Sequence, residues 1–210
     1  MLSQASQKDP AMGVLGYARI EGDFYATPPE NVACLAHYVD LSQVAVWEPA
    51  CGEGHISKRL SGIAACVVST DLYDRGYGQS GLDFLTADRL PPVLKMNGRR
   101  QGIITNPPFA KVAEQFIRKA LELTAPVDGL VCMFLRNDYD TASTERDDLF
   151  EGHRAYRGKI IVTKRPRWIE GSKGSPRHSY AWYIWNWAGE PSVPTIRYIH
   201  PRTAAARASN

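Results

Sequence analysis

Residues 46–57 read VWEPACGEGHIS. An apolar run ends at Glu48 and Pro49, a tight turn carries Gly52 and Gly54, and a helix-like stretch opens at His55. Strand, glycine turn, then helix is one unit of a parallel α/β sheet, because parallel neighbours need a crossover and a helix usually supplies it. The glycines let the backbone approach a ligand closely, and a helix start brings N–H donors to the same place. The dinucleotide fingerprint G-x-G-x-x-G is not met, since Ser57 stands where its third glycine belongs. Glu48 at the strand end would repel a diphosphate and suits an ammonium or sulfonium group instead. Taken alone, the stretch could be no more than a strand-to-helix turn.

Working outward, strand-like runs alternate with helix-like ones, which predicts the α/β class. Strands are expected at 44–49, 65–71, 102–105, 129–135, 159–163 and 179–187, and helices at 29–41, 55–63 and 110–123. In the last helix Val112, Phe116 and Ala120 share a stripe. The runs at 159–163 and 179–187 are expected to form an antiparallel pair at the sheet edge. Residues 1–20 and 201–210 are polar and rich in small residues, and are expected to be flexible ends of a single domain over 21–200.

The bulk composition excludes little. With 25 Lys and Arg against 22 Asp and Glu, the net charge of +3 is too small to argue for an anionic partner by itself. Cysteines 34, 51, 66 and 132 form no C-x-x-C pair, which argues against a disulfide framework or a metal site. Residues 1–20 lack a signal-like apolar core and no apolar span reaches ~18 residues. The expectation is a cytoplasmic protein with no membrane segment.

Three further positions carry chemistry. Asp71 closes the strand after the glycine turn, where an acid can hold ribose hydroxyls beyond the carboxyl ends of a parallel sheet, though a cap or turn aspartate reads the same way. Asp83 and Phe84 offer an edge and a face for a flat ring. Residues 102–109, GIITNPPF, end a strand in an amide and remove two backbone donors at Pro107 and Pro108. Acceptors then outnumber donors, which suits a ligand bearing an NH2 group, and Phe109 could stack on its ring.

EPACGEG, Asp71, DF at 83–84 and NPPF, in this order, resemble the motif set of class I S-adenosylmethionine-dependent methyltransferases. NPPF is similar to the tetrad of enzymes that methylate adenine N6, and DFYATPPE at 23–30 to a cofactor-side motif of adenine DNA methyltransferases. The resemblance implies a doubly wound, mostly parallel seven-stranded sheet of Rossmann-like type. It implies S-adenosylmethionine as cofactor, with Tyr25 and Thr27 near it, Glu48, Ala50, Gly52 and Gly54 around its methionine part, Asp71 at the ribose, and Asp83 with Phe84 at the adenine. Asn106, Pro107, Pro108 and Phe109 would hold a target adenine in DNA, flipped out of the duplex.

The segment 163–179 adds Lys164, Arg165, Arg167, Lys173 and Arg177 against one acid, with Trp168 interleaved. It is expected to track nucleic-acid phosphates, with Trp168 stacking on a base; a solvated hairpin loop is the plainer reading. Arg136, Asn137, Asp138 and Tyr139 are candidates for the base pocket. The aromatic run from Tyr180 to Trp187 is expected to be sheet packing. About 100 residues follow NPPF and most are needed to finish the sheet. Sequence specificity is therefore expected to be short, or supplied by a partner protein, as in a compact phage- or prophage-type enzyme. Methylation of RNA adenine or protein glutamine, and a catalytically idle binding module, are the alternatives.

Overall fold

The computed structural model describes residues 25–109, 111–141, 144–168 and 176–207. The expected flexible N-terminus, residues 23–24 of the YATPP motif segment, and Lys173 lie outside these residues.

The chain runs α1 (Pro29–Ala36), β1 (Val44–Glu48), α2 (His55–Leu60), β2 (Cys66–Ser69), β3 (Arg100–Thr105), α3 (Lys111–Thr124), β4 (Leu130–Arg136), β5 (Tyr156–Val162), β6 (Tyr180–Asn186), β7 (Thr195–Ile199) and α4 (Pro201–Arg207). The seven strands form one sheet in the order β2-β1-β3-β4-β6-β5-β7. Only β6 runs against its neighbours, pairing antiparallel with β4 and β5. The expected antiparallel pair is therefore β5 and β6, but it stands one strand in from the edge. β7 pairs parallel with β5 and takes the outer place. Four of its five residues are exposed, so its sequence carries no burial alternation to mark it as a strand. Residues 201–207, expected to fray, instead form α4, because Ala204 packs into the layer beneath α1.

Both sheet faces are covered, as a continuous apolar strand such as fully buried β1 requires. On one face, α3 and the 3-10 turn Phe84–Thr86 pack on Trp47, Ile103, Met133 and Trp185. α3 buries Ala113, Phe116, Ile117, Ala120 and Leu121, an i, i+3, i+4, i+7, i+8 stripe, while Val112 sits at its exposed margin. On the other face, α1, α2 and α4 pack on Val46, Ile104, Phe134 and Trp182. Trp182, Tyr183 and Trp185 are fully buried, so the aromatic run of β6 is core.

From β1 the chain adds β2 on one side and β3 on the other. The strand order thus reverses at β1, and ligand sites of open α/β sheets form beyond the carboxyl ends at such a point.

Candidate active site

A cavity of about 320 Å³ opens there. Glu48, Asp71 and Asn106, which follow or end β1, β2 and β3, all line it. Three neighbouring strand ends thus bring together residues 58 positions apart in the chain (106 − 48).

Glu48 forms the floor and is 1% exposed. Ser57 donates its hydroxyl proton to Glu48 Oε2 and shares a further hydrogen bond, 2.5 Å long, with the Ser69 hydroxyl. Burial pushes the Glu48 carboxyl up to about 8; the Ser57 hydrogen bond opposes the rise, and the nearby Asp71 charge adds to it. A carboxyl held this way is protonated at neutral pH until a cation comes beside it.

Asp71 ties the glycine turn to the end of β2. Its Oδ2 accepts the Gly52 N–H at 2.8 Å and its Oδ1 the Tyr73 N–H at 2.9 Å. Each carboxylate oxygen keeps a lone pair for a further donor. Gly54 has a φ of 81°, and a β-carbon on it would lie 2.4 Å from the Tyr77 ring. Only glycine satisfies both the left-handed backbone and the packed ring. Cys51 beside it is inert: burial, with Glu48 and Asp71, raises its thiol to about 12.

Asn106 lies across the cavity. Its Nδ2 donates to the main-chain oxygen of Tyr25 at 3.2 Å. Only the nitrogen can donate to a carbonyl, so this bond fixes which way the amide points. Its Oδ1 is buried and, among the described residues, accepts no hydrogen bond. An orphaned buried acceptor costs roughly 1–3 kcal/mol, which a ligand donor can recover.

Of the residues singled out in the sequence, Tyr25, Thr27, Glu48, Ala50, Asp71, Asp83, Phe84, Asn106 and Pro108 line the cavity. Gly52 and Gly54 shape the turn beside it, and Pro107 is buried outside the lining. Phe109 also stands outside: one face stacks on Tyr25 with centroids 4.9 Å apart and planes 27° apart. Trp168, expected to stack on a base, packs here against other rings. Its ring packs edge-on against Tyr180 at 4.8 Å, Tyr25 at 6.0 Å and Phe109 at 6.3 Å, because those rings offer it apolar cover. Lys164 pairs with Glu30 at 3.4 Å, and Arg165 donates to the Pro176 carbonyl at 3.2 Å. Arg136 pairs with Asp138, and residues 136–139 do not line the cavity.

The sequence reading missed the rim. Leu72, Tyr73, Arg75 and Leu82, from the loop after Asp71, line the cavity with His55 of α2. Leu72 and Tyr73 are 49% and 41% exposed, and Leu82 is 39% exposed, an apolar mouth open to solvent. Gly76, Gly78 and Gly81, all at positive φ, were the available signal that this loop folds back over the turn.

A crossover sheet with one reversed strand, closed on both faces and holding its cavity at the β1 switch point, has counterparts among solved structures. A Listeria monocytogenes protein assigned to the class I S-adenosylmethionine-dependent methyltransferases matches with a TM-score of 0.50, at 14% identity, over 85% of this chain and 67% of its own. The chain has the class I methyltransferase fold. The methyltransferase subunit of a type I restriction-modification system from Streptococcus thermophilus gives a TM-score of 0.55 at 13% identity, over 84% of this chain and 47% of that one. The 23S rRNA methyltransferase ErmE gives 0.53 at 16% identity, over 81% and 72%. The chain spans about half the length of the restriction subunits it matches. No family model and no curated protein matches it. Among the described residues, no helix is long and apolar enough to cross a membrane, and no group of three or more His, Cys, Asp or Glu could hold a metal ion.

Proposed function

We propose that this chain methylates the N6 amino group of adenine in DNA, with S-adenosylmethionine as methyl donor. One observation carries the reading: the buried Oδ1 of Asn106, without a hydrogen-bond partner among the described residues, at the cavity that Glu48 and Asp71 share.

The residues present fit that donor. Glu48 is a buried acid able to ionise against a cation, Asp71 keeps acceptor capacity for hydroxyls, and Asp83, Phe84 and the Leu72–Leu82 rim supply an edge and apolar faces for an adenosyl group. Tyr25, Thr27 and Ala50 complete the wall, with Gly52 and Gly54 holding the turn. When bound, S-adenosylmethionine supplies an electrophilic methyl group on a sulfonium sulfur.

The chain's own residues do the rest. Adenine N6 is a poor nucleophile because its lone pair is delocalised into the ring. Asn106 Oδ1 accepts one of its hydrogens and so favours the pyramidal nitrogen whose lone pair is available. Transfer would break the methyl–sulfur bond and release a neutral thioether, and the methylated nitrogen would be acidic enough to give its proton to water, so no dedicated base is needed and positioning with preorganised polar groups dominates. Pro107 and Pro108 keep competing backbone donors away. Stacking of a flipped base on the covered face of Phe109 requires the Tyr25 ring to give way.

Lys164, Arg165, Arg167, Lys173 and Arg177 are assigned to the phosphates. Sequence selection is short or comes from a partner protein, consistent with the resemblance to a restriction-modification subunit. The resemblance to an rRNA methyltransferase favours RNA adenine as the second reading. The test is tritiated-methyl transfer to unmethylated DNA and RNA, followed by nucleoside analysis. N6-methyladenine in DNA supports the first reading and in RNA the second; methylated cytosine or protein alone overturns both.

A further inference from the structure

At the other end of the sheet, where β3, β4, β5 and β7 begin, lies a second groove of about 320 Å³. Leu130, Ile160 and Ile184 form its floor, and Arg100, Arg157 and Arg197 stand around it. Among the described residues, none of these three arginines forms an ion pair.

Each is held instead by neutral groups. Arg100 donates to the carbonyls of Asp128 and Gly129, both at 3.1 Å, and to Asn186 Oδ1. Arg157 donates to the Arg154 carbonyl at 2.7 Å and the Ala188 carbonyl at 3.5 Å. Arg197 lies over the Tyr38 ring at 5.1 Å. Neutral acceptors orient a guanidinium without cancelling its charge. Burial holds Arg100 below its ordinary value and the neighbouring Arg157 charge lowers it further, against the opposing pull of Asp128. Lys159 adds no net charge, since Asp140 pairs with it at 2.8 Å. The one acid in the lining, Asp40, turns its Oδ1 to the Ser42 N–H at 2.9 Å.

We propose that this groove binds a phosphate-bearing ligand, a di- or triphosphate of nucleotide size, at a site separate from the methyl-transfer cavity. Three guanidiniums without an ion-pair partner among the described residues, against one carboxylate in the lining, match a polyphosphate, whose oxygens take paired N–H bonds from each fork. The apolar floor suits the ring or sugar of a nucleotide, and the volume is that of a small-ligand site. The groove and Asn106 lie at opposite ends of β3, whose six residues span roughly 20 Å. Phosphates held here are therefore not those beside the target base.

The phosphate could belong to a free nucleotide or to a distal stretch of nucleic acid, and competition separates the two. Calorimetric titration of pyrophosphate into wild type is expected to show one site. Arg197→Gln and Arg157→Gln are each expected to weaken it about tenfold or more, the worth of one charge-assisted hydrogen bond. Arg165→Ala, in the basic loop, leaves it unchanged. A short DNA duplex that displaces pyrophosphate assigns the groove to nucleic acid; one that does not assigns it to a nucleotide. Arg197 is exposed, so its variant keeps the fold and decides the matter should Arg157→Gln melt early. No pyrophosphate binding by wild type, or undiminished binding by Arg197→Gln, overturns the proposal.

Discussion

Asn106 and Tyr25 are 81 residues apart, yet the side-chain amide of the first donates to the main-chain oxygen of the second at 3.2 Å. That bond spends the donor end of Asn106 and leaves its acceptor end without a partner among the described residues. The N-terminal segment therefore sets the orientation of the amide on which the proposed chemistry depends.

Asn106→Asp should consequently fail, although it preserves shape and keeps an acceptor oxygen. A carboxylate has no proton for Tyr25 and would set an acceptor against an acceptor. Asn106→Ala is expected to cut turnover ~10²-fold, the usual worth of one preorganised polar contact at a reacting centre. Single-turnover methyl transfer, with cofactor affinity measured in parallel, checks both. Wild-type rates in Asn106→Asp would remove the amide orientation from the account.

Cofactor binding is expected to be linked to proton release from Glu48. Its carboxyl, raised to about 8 by burial, is protonated in the free protein at neutral pH. A bound cation favours the ionised form, so affinity should improve up to about tenfold per pH unit until pH reaches about 8, then level off. Stability has the opposite slope. Between the ordinary 4.5 and about 8 the unfolded chain has lost this proton and the folded chain keeps it, so the free protein loses stability as pH rises. Urea melts across that window check the sign, and Glu48→Gln should flatten both profiles.

Gly54→Ala tests the turn. The left-handed backbone alone costs a residue with a β-carbon about 1–2 kcal/mol, and the added carbon meets the Tyr77 ring at 2.4 Å. A lower melting temperature and weaker cofactor binding are expected. Adding Tyr77→Ala should recover only the part due to the clash, since the backbone cost remains. Full recovery would mean that the φ of 81° is not a constraint.

What was legible in the sequence followed from burial. Strands such as VAVWE and LVCMFLR are apolar up to their charged last residue because both their faces are covered, and α3 shows its stripe because one face is. The residues that end strands, Glu48, Asp71 and Asn106, could be placed at one site because parallel strands deliver their carboxyl ends together. β7 and α4 were not legible, since an exposed edge strand between prolines and a one-sided short helix have little apolar pattern. The pairing of Phe109 with Tyr25 and the packing of Trp168 among the rings depend on where three distant segments meet, which local sequence does not encode.

The basic segment offers a separable test of the substrate. If Lys164, Arg165, Arg167, Lys173 and Arg177 contact phosphates, duplex affinity should fall with log salt at a slope of roughly −4 to −5, near −0.9 per contact. Arg165→Ala with Arg177→Ala should make that slope shallower by about 2. Trp168→Ala is expected to behave differently. The ring packs against Tyr180, Tyr25 and Phe109, so its loss should lower the melting temperature by the several degrees that about 1 kcal/mol or more of lost packing implies. The salt slope should stay unchanged, because no charge is removed. A stable Trp168→Ala protein with a normal melting temperature and weakened single-strand binding would instead support Trp168 as a base-stacking platform.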